Sequence, residues 1–301
     1  MLEIRHLQVL HAVSVEGTVT GAAERLGFSA SAVSQQLAAL GRLLGQPVVR
    51  RQGRRVVLTA AGASLAARAA DILASITLAE SVARATGDTE GTLTVAAFPS
   101  AARQLLVPAM ATLAHDIPGL QIRVVEAEPE RALPLLRLGD VDLGIVYSYD
   151  LLPFTSDELT LFSLAAERMW FVCSAATAER LGDGTNASAA ELSALPWIAG
   201  PDESGDYEVT TRICAALGFE PHIVHSAEDY TLSLELAAAG LGVGFIPLAA
   251  VPALPDGARA LALPGVEPVR HIWAAARHDH EHRAGNAALL AALREIALDH
   301  G

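Results

Sequence analysis

Residues 26–62 read LGFSASAVSQQLAALGRLLGQPVVRRQGRRVVLTAAG. Apolar residues at helical spacing run over 33–40, and Ser29 or Ser31 can cap the start of that helix. A shorter helical pattern over 22–26 comes just before it. Two short helices in tandem, joined by a tight turn, predict a helix-turn-helix unit.

Glycines and a hydroxyl group mark the limits of the neighbouring helices. Apolar residues over 2–13 follow helical spacing, and Gly17 ends that first helix as a helix-terminating glycine would. Thr20 is the predicted cap of the second helix, which stops at Gly27. The first sixty residues therefore contain three predicted helices.

A basic hairpin follows the third helix. Residues 48–51 and 54–58 are two β-rich runs joined by a glycine-containing turn, and four arginines lie at its tip. Like charges on a two-stranded tip repel one another unless phosphates or acids neutralise them. The pattern predicts a basic wing beside the third helix.

Polar residues on the third helix and the wing arginines are the predicted DNA contacts. The second helix of a helix-turn-helix lies in the major groove, where glutamine can bond adenine N6 and N7 and serine can serve phosphates or bases. From composition alone, these serines and glutamines could also be ordinary solvent-facing helix residues. The basic wing beside them favours the interpretation as DNA contacts. The predicted set is Ser29, Ser31, Ser34, Gln35, Gln36, Arg50, Arg51, Arg54 and Arg55.

Charge is divided unevenly along the chain. The net charge is −13, but residues 1–60 hold seven arginines and three glutamates, which is 7 − 3 = +4 and leaves −17 for the rest. A basic module joined to an acidic body is expected. No leader and no apolar run of about 18 residues is found, so we expect a soluble cytoplasmic protein with no membrane partner.

The order of these residues resembles the LysR-type transcriptional regulators. The resemblance rests on Leu26, Ser29, residues 32–37, Leu40, Leu44-Gly45, residues 47–51 and residues 58–62, and it covers the full chain. Gly41, Val49 and Ala30 depart from the family pattern, and the last stands where the family often has a base-reading glutamine. The resemblance implies a regulator that acts as a homodimer or homotetramer with operator DNA and the transcription machinery.

An Ala-rich helix is predicted to follow the wing. From Thr59, a plausible cap, apolar residues recur at spacings of three and four as far as about residue 85, and Gly87 ends the pattern. One long helix cannot bury such a stripe alone, so a coiled coil between two chains is expected, with packing against its own chain as the alternative. The resemblance also implies dimerisation through this helix.

The rest of the chain alternates strands with helices in two rounds, which predicts helix-covered parallel sheets in two lobes. The overall prediction is an α/β protein with an N-terminal winged helix-turn-helix, a long linker helix and a two-lobed effector domain that resembles periplasmic binding proteins. The predicted boundaries are 1–59 for the DNA-binding domain, 60–90 for the linker, 91–163 with 267–301 for lobe I, and 164–266 for lobe II.

Ligands of open α/β sheets bind beyond the carboxyl ends of the strands, so residues just after each strand are the candidate effector site. Ser100, at a predicted helix N-terminus, is the leading candidate, with a plain helix cap as the alternative. No arginine is seen at these strand ends to match the acidic residues, which favours a cationic or hydroxylated effector over a dicarboxylate. The predicted set is Phe98, Ser100, Ala101, Glu126, Glu128, Tyr147, Ser148, Pro201, Asp202, Glu203, Asp229 and Phe245.

Other functions are disfavoured by the sequence. Residues 278–282, His-Asp-His-Glu-His, are interpreted as a solvated turn and not a metal site. Ser100 lacks a G-x-S-x-G motif and an activating histidine, so neither an enzyme nor a cofactor is predicted. Cys173 and Cys214 are interpreted as buried and inert, not as a redox pair. A solute-binding protein without a transcriptional role is the alternative for the body, and an architectural DNA-binding protein is the other.

Overall fold

The structure is a computed structural model that describes residues 2–52, 55–66, 68–69, 72–73, 76, 91–154, 158–182, 184, 186–251, 253–278 and 283–299; the side chains of Val15, Arg51, Gln52, Arg55 and Asp299 lie outside the description. The chain divides into two compact units, Met1–Arg84 and Ala85–Gly301, called here the head and the body. Among the described residues, no helix combines the length and apolar character that a membrane crossing requires.

Three helices form the predicted helix-turn-helix of the head: α1 (Ile4–Glu16), α2 (Val19–Leu26) and α3 (Ala30–Leu44). The cap of α2 is Thr18, whose hydroxyl accepts from the Gly21 N–H at 3.0 Å, so the prediction of Thr20 as the cap is wrong. Ser29 is the cap of α3, as one of the two predicted choices. Gly27 ends α2 with a left-handed φ of 65°, a conformation that glycine adopts without steric cost.

The predicted wing is a two-stranded antiparallel hairpin. β1 (Val49–Gln52) pairs with β2 (Arg55–Leu58), and the turn residues Gly53 and Arg54 lie outside the described residues. The wing packs on the same core as the three helices, with Val49, Val56 and Leu58 against the cluster that holds Leu10, Val33, Leu37, Leu40 and Val48. The hairpin is therefore held rigidly beside α3.

The predicted linker helix is described only in part. Residues 60–66, 68–69, 72–73 and 76 are helical, and the Thr59 hydroxyl accepts from the Gly62 N–H at 3.1 Å, as expected of a cap. Residues 77–90, and with them Ala79 and Ala83 of the predicted coiled-coil stripe, lie outside the described residues. The first turns pack on the head itself, because Ala66 and Ala69 are buried there.

Lobe I of the body is built on three parallel strands. β3 (Gly91–Ala97) lies between β4 (Leu120–Glu126) and β5 (Leu143–Tyr149). Helix α4 connects β3 to β4; it is α-helical over Pro99–Ala101, π-helical over Ala102–Leu106 and α-helical again over Val107–Asp116. Helix α5 (Pro129–Leu138) connects β4 to β5 and buries Ala132 and Leu136 in the lobe I core.

One strand of 16 residues, β6 (Leu159–Ser174), passes from lobe I into lobe II. Its residues 159–168 pair antiparallel with β11 (Val269–Arg277), which also pairs antiparallel with β5. Beyond residue 168 it pairs with β9 (Gly244–Pro247) and β10 (Ala258–Leu261), both antiparallel. The sheets are thus mixed and not purely parallel as predicted, because each return between the lobes reverses the strand direction.

Lobe II carries the remaining elements around its own core of Val172, Ile198, Leu234, Ala237 and Ile246. They are α6 (Ala175–Leu181), α7 (Ala189–Ser193), β7 (Pro196–Ala199), α8 (Gly205–Ala216), β8 (His222–Ser226) and α9 (Tyr230–Ala238), with β7 and β8 parallel. The final helix, α10 (Ala284–Asp299), returns to lobe I and contacts α4, as predicted.

Candidate functional site

A cavity of about 790 Å³ lies in the body and is lined by residues of both lobes. The N-terminal residues of four helices reach it: α4 and α5 from lobe I, and α8 and α9 from lobe II. This cleft lies at the carboxyl ends of β3, β4 and β5, where the sequence places the effector site. Predicted residues that line it are Phe98, Ser100, Glu126, Glu128, Tyr147, Pro201, Asp202, Glu203 and Asp229.

Three predicted residues lie outside this lining. Ala101 is 1% exposed and packs inside lobe I. Ser148 alternates with Tyr147 along β5, so it faces away from the cavity, and its hydroxyl accepts from the Trp273 Nε1–H at 3.0 Å. Phe245 packs in the core of lobe II, with ring centroids 6.0 Å from Phe171 and 5.6 Å from Trp197. Position after a strand was too coarse a criterion, because it ignores which face each side chain takes.

Arg270 lines the cavity and was not predicted. The prediction that no arginine lies at the strand ends is therefore wrong. It is the second residue of β11, and antiparallel pairing places it opposite Tyr149, at the carboxyl end of β5. Only 1% of its surface is exposed. The strand pattern over 269–276 could have revealed it, had an antiparallel return been assumed.

The Arg270 guanidinium is held from several sides. Its Nε donates to Glu167 Oε2 at 2.9 Å, its Nη1 to the Tyr230 hydroxyl at 3.2 Å, and its Nη2 to Ser100 Oγ at 3.4 Å. Its Cζ also lies 5.2 Å from the ring centroid of Phe98 and 5.4 Å from that of Tyr230. A buried arginine with this many partners is fixed in place.

Asp206, also missed, lies at the N-terminus of α8. The hydroxyls of Tyr149 and Tyr230 both donate to its carboxylate, the latter at 2.9 Å. Burial raises the pKa of Asp206, because a charged carboxylate loses hydration there, while the two tyrosine hydroxyls and Arg270 act in the opposite direction. Burial prevails, so the site holds this carboxylate at an energetic cost.

Glu128 and Glu130 begin α5 on the opposite side of the cleft. Burial raises the pKa of Glu128 from 4.5 to about 7, and the nearby negative charge of Asp206 adds to the effect. Glu130 Oε1 accepts from the Gly205 N–H at 2.9 Å, across the cleft at the first residue of α8. Lobe I, through Glu128 and Glu130, and lobe II, through Asp206, therefore present carboxylates to each other across the cleft.

Several hydrogen bonds join the lobes at this cleft. Besides the Glu130 to Gly205 bond, Tyr149 of β5 donates to Asp206, and Arg270 of β11 donates to Tyr230 of α9. Further from the cavity, Arg212 Nη1 donates to the Leu151 carbonyl oxygen at 2.6 Å. Glu130, Asp206, Tyr230 and Arg270 thus both line the cavity and take part in the bonds that hold the lobes together.

In the head, α3 presents part of its predicted DNA face to solvent. Ser31, Ser34 and Gln35 are exposed and Gln36 is partly buried. The Ser29 hydroxyl accepts from the Ala32 N–H at 3.1 Å, which caps the helix. Arg50 is exposed on β1, Arg51 and Arg55 belong to the paired strands with undescribed side chains, and Arg54 lies outside the described residues.

Neither thiol is placed to react. Cys173 and Cys214 are free and buried, and burial raises the pKa of Cys173 to about 11 and that of Cys214 to about 12. A thiolate is the reactive form, and these values suppress it. Within the described residues no cluster of His, Cys, Asp and Glu could hold a metal ion; residues 279–282 of the predicted turn lie outside them, and the His278 ring contacts the Thr160 hydroxyl.

Comparison with known proteins identifies the family. Residues 4–63 match the bacterial regulatory helix-turn-helix protein model of the lysR family, and residues 86–297 match the LysR substrate binding domain. The HTH-type transcriptional regulator ShiR of Corynebacterium glutamicum is 30% identical over 247 residues, which is 80% of this chain and 81% of that protein. A probable hydrogen peroxide-inducible genes activator of Mycobacterium avium is 29% identical over 251 residues, 83% of this chain and 79% of that one.

Solved structures agree on the fold. CrgA, a LysR-type transcriptional regulator from Neisseria meningitidis, superposes with a TM-score of 0.70 at 23% identity, over 100% of both chains. Full-length BenM superposes with a TM-score of 0.59 at 22% identity, over 99% of this chain and 97% of the BenM chain. The chain belongs to the LysR family: it is a DNA-binding transcription regulator with an effector-binding domain, and it is neither an enzyme nor a plain solute-binding protein.

Proposed function

We propose that the cleft between lobes I and II is the effector site, and that its occupation changes the affinity of the head for operator DNA. The observation that carries this proposal is that the same residues join the lobes and surround the cavity. Tyr149, Asp206, Tyr230 and Arg270 make the hydrogen bonds that join the lobes and also surround or line the cavity. A ligand there must change the contacts that set the lobe spacing, which gives it different affinities for the open and closed forms.

The DNA side of the proposal rests on α3 and the wing. Exposed Ser31, Ser34 and Gln35 lie on one helix, and exposed Arg50 lies on the hairpin beside it. Glutamine and serine suit base edges, whereas arginines on a hairpin suit phosphates. We assign base reading to α3, with Ser29 and Gln36 at its margins, and phosphate binding to the wing, with Arg51, Arg54 and Arg55.

Assembly belongs to the same proposal. The linker stripe, of which Ile72 is 41% exposed, is assigned to pairing with a second copy of the chain, and a tetramer and contact with the transcription machinery follow from family membership. Such a protein acts in the cytoplasm, where its operator is. Two heads on one dimer would read a pseudo-palindromic site.

Peroxide sensing is a weaker candidate. The names of mycobacterial relatives as hydrogen peroxide-inducible activators favour it. The buried, high-pKa thiols of Cys173 and Cys214 oppose it, because a thiolate is the species that peroxide oxidises. We therefore assign this chain a non-covalent effector.

The test uses the full chain and operator fragments recovered from genomic DNA by pull-down. A compound that alters operator affinity is measured by calorimetry against Ser100→Ala and against Ser193→Ala, a control serine of α7 whose hydroxyl bonds the Ala190 carbonyl within its own helix. Ser100→Ala is expected to weaken the compound's affinity and its effect on DNA together, and Ser193→Ala to change neither. Equal behaviour of the two variants, or an effector bound outside the cleft in a co-crystal structure, overturns the proposal.

A further inference from the structure

We infer that the effector carries a protonated nitrogen, as an ammonium or guanidinium group, which binds between the carboxylates of Glu128 and Asp206. This inference rests on the proposed function, since it concerns the same cleft. The site is defined by the cavity and by the family's substrate-binding domain. The carboxylates decide only the charge of what enters it.

The lining of the cavity is rich in carboxylates. Among the described residues, eight carboxylates and three arginines line the cavity. In the described part of the chain none of those carboxylates forms an ion pair, and Arg270, the one buried lining arginine, is paired with Glu167, which lies outside the lining. The cavity therefore presents a large net negative charge, which repels a dicarboxylate and attracts a cation.

Helix N-termini ordinarily favour anions. At two of the four helices that reach the cleft, carboxylates of the chain itself accept from N–H groups of the first turn. Glu130 accepts from the Gly205 N–H at 2.9 Å, and Asp229 accepts from the Thr231 N–H at 2.8 Å. Glu128 is the N-cap residue of α5. Carboxylates thus accept from N–H groups at the starts of α8 and α9, and a third carboxylate lies at the start of α5, so an anionic effector would meet negative charge at three of the four helix starts.

Aromatic side chains form part of the cavity wall. The rings of Phe98, Tyr147 and Tyr230 line the cavity and already surround one cation, with the Arg270 Cζ at 5.2, 5.6 and 5.4 Å from their centroids. Aromatic faces attract cations through their quadrupole, and this attraction offsets part of the hydration that a cation loses on entry. Walls of this kind suit an ammonium or guanidinium ligand.

The carboxylates of Glu128 and Asp206 are costly to ionise without a cation beside them. Burial raises the pKa of both Glu128 and Asp206, and the negative charge of Asp206 raises the pKa of Glu128 further. A cation between them removes that repulsion and restores ionisation. The binding of such a ligand should therefore strengthen as the pH rises past about 7, the pKa of Glu128.

The experiment compares probes of different charge on the full chain. The cations are spermidine, agmatine and 1,5-diaminopentane; L-lysine and L-arginine are zwitterions with an added cation; pentanedioate and citrate are anions; and 1,5-pentanediol is neutral. Thermal shift identifies the compounds that bind, and calorimetry at low and high salt gives their dissociation constants. At least one compound with a protonated nitrogen is expected to bind at least about tenfold more tightly than every anionic and neutral probe.

Variants link that binding to the site. Glu128→Gln keeps the size of the side chain and removes its charge. It is expected to weaken the binding of the cationic compound by roughly tenfold or more, as for a lost charge-assisted hydrogen bond. Glu235→Gln, an exposed position of α9 outside the lining, removes the same charge and is expected to change the affinity less than about twofold. A general charge effect would weaken both variants alike.

The outcomes separate this inference from the proposed function. Tighter binding of pentanedioate, citrate or pentanediol overturns the inference that the effector is a cation. An equal loss of affinity in the two variants, or no binding by any compound with a protonated nitrogen, overturns it as well. If an anionic or neutral compound nevertheless binds the cleft and alters operator affinity, the proposed function stands and only the charge assignment fails. If binding in the cleft never alters operator affinity, the proposed function fails.

Discussion

Replacing Glu128 with glutamine is expected to stabilise the body in a pH-dependent way. Burial and the charge of Asp206 raise the pKa of Glu128 from 4.5 to about 7 in the folded chain. A carboxyl with a raised pKa holds its proton more tightly in the folded state. The folded state therefore loses stability as the pH rises from about 4.5 to about 7, and the loss is complete above that range.

The size of the effect follows from these two pKa values. The interval from 4.5 to about 7, at about 1.36 kcal/mol per pH unit, corresponds to about 3 kcal/mol of unfavourable ionisation. Water in the open cleft screens part of it, so we expect Glu128→Gln to raise the free energy of unfolding by about 1–3 kcal/mol near pH 8.5. Near pH 5, where Glu128 is largely protonated in the folded chain, the gain should fall below about 1 kcal/mol.

Urea unfolding followed by tryptophan fluorescence measures this difference. All three tryptophans, Trp170, Trp197 and Trp273, lie in the body, so the signal reports that unit and not the head. Glu235→Gln is the control and should show no comparable dependence on pH. If Glu128→Gln raised the free energy of unfolding by the same amount at both pH values, or lowered it near pH 8.5, the reasoning would be refuted.

Three further predictions concern the head. Gln35→Ala should relax the base preference at one or two positions of each half-site, at about 1–3 kcal/mol for a lost bidentate contact; an unchanged profile in binding-site selection contradicts it. Arg50→Ala should weaken binding to all sequences and lower the salt slope of log K by about 0.9 per subunit, as measured by salt titration; loss of one base preference at an unchanged slope would make Arg50 a base reader. Gly62→Ala should destabilise the head by about 1–3 kcal/mol or more in thermal unfolding, because the new Cβ would lie 1.9 Å from the Val48 carbonyl oxygen; wild-type stability would show that this junction yields easily.

Local signals made most of the head predictable. Glycines that end helices and a serine that begins one act through their immediate neighbours, so the C-terminal ends of α1 and α2 and the start of α3 could be predicted from spacing alone. Thr18 and Thr20 offer the same hydroxyl two residues apart, and the choice between them depends on how the first turn of α2 packs. No periodicity encodes that choice.

The body was predictable as a pattern of strands and helices, and less so as a site. Tyr230, the first residue of α9, was not predicted as a site residue, although Asp229 beside it was. Arg270 and Asp206 reach the cleft through pairings between residues far apart in sequence, such as β11 with β5. Ser148 and Phe245 follow strands as predicted, but side-chain direction and lobe packing take them elsewhere.

The four helix N-termini that meet at the cleft make its charge preference a matter of side chains and not of the backbone. Their N–H groups would favour anions in any protein with this arrangement of helices, and in this chain carboxylates lie at three of them. Exchanging Glu130 and Asp229 for alanine would free the N–H groups that they occupy without changing the strands that build the cleft. Descendants of one ancestral regulator can thus come to answer signals of opposite charge through a few substitutions at helix starts, while the reading of the operator is inherited unchanged.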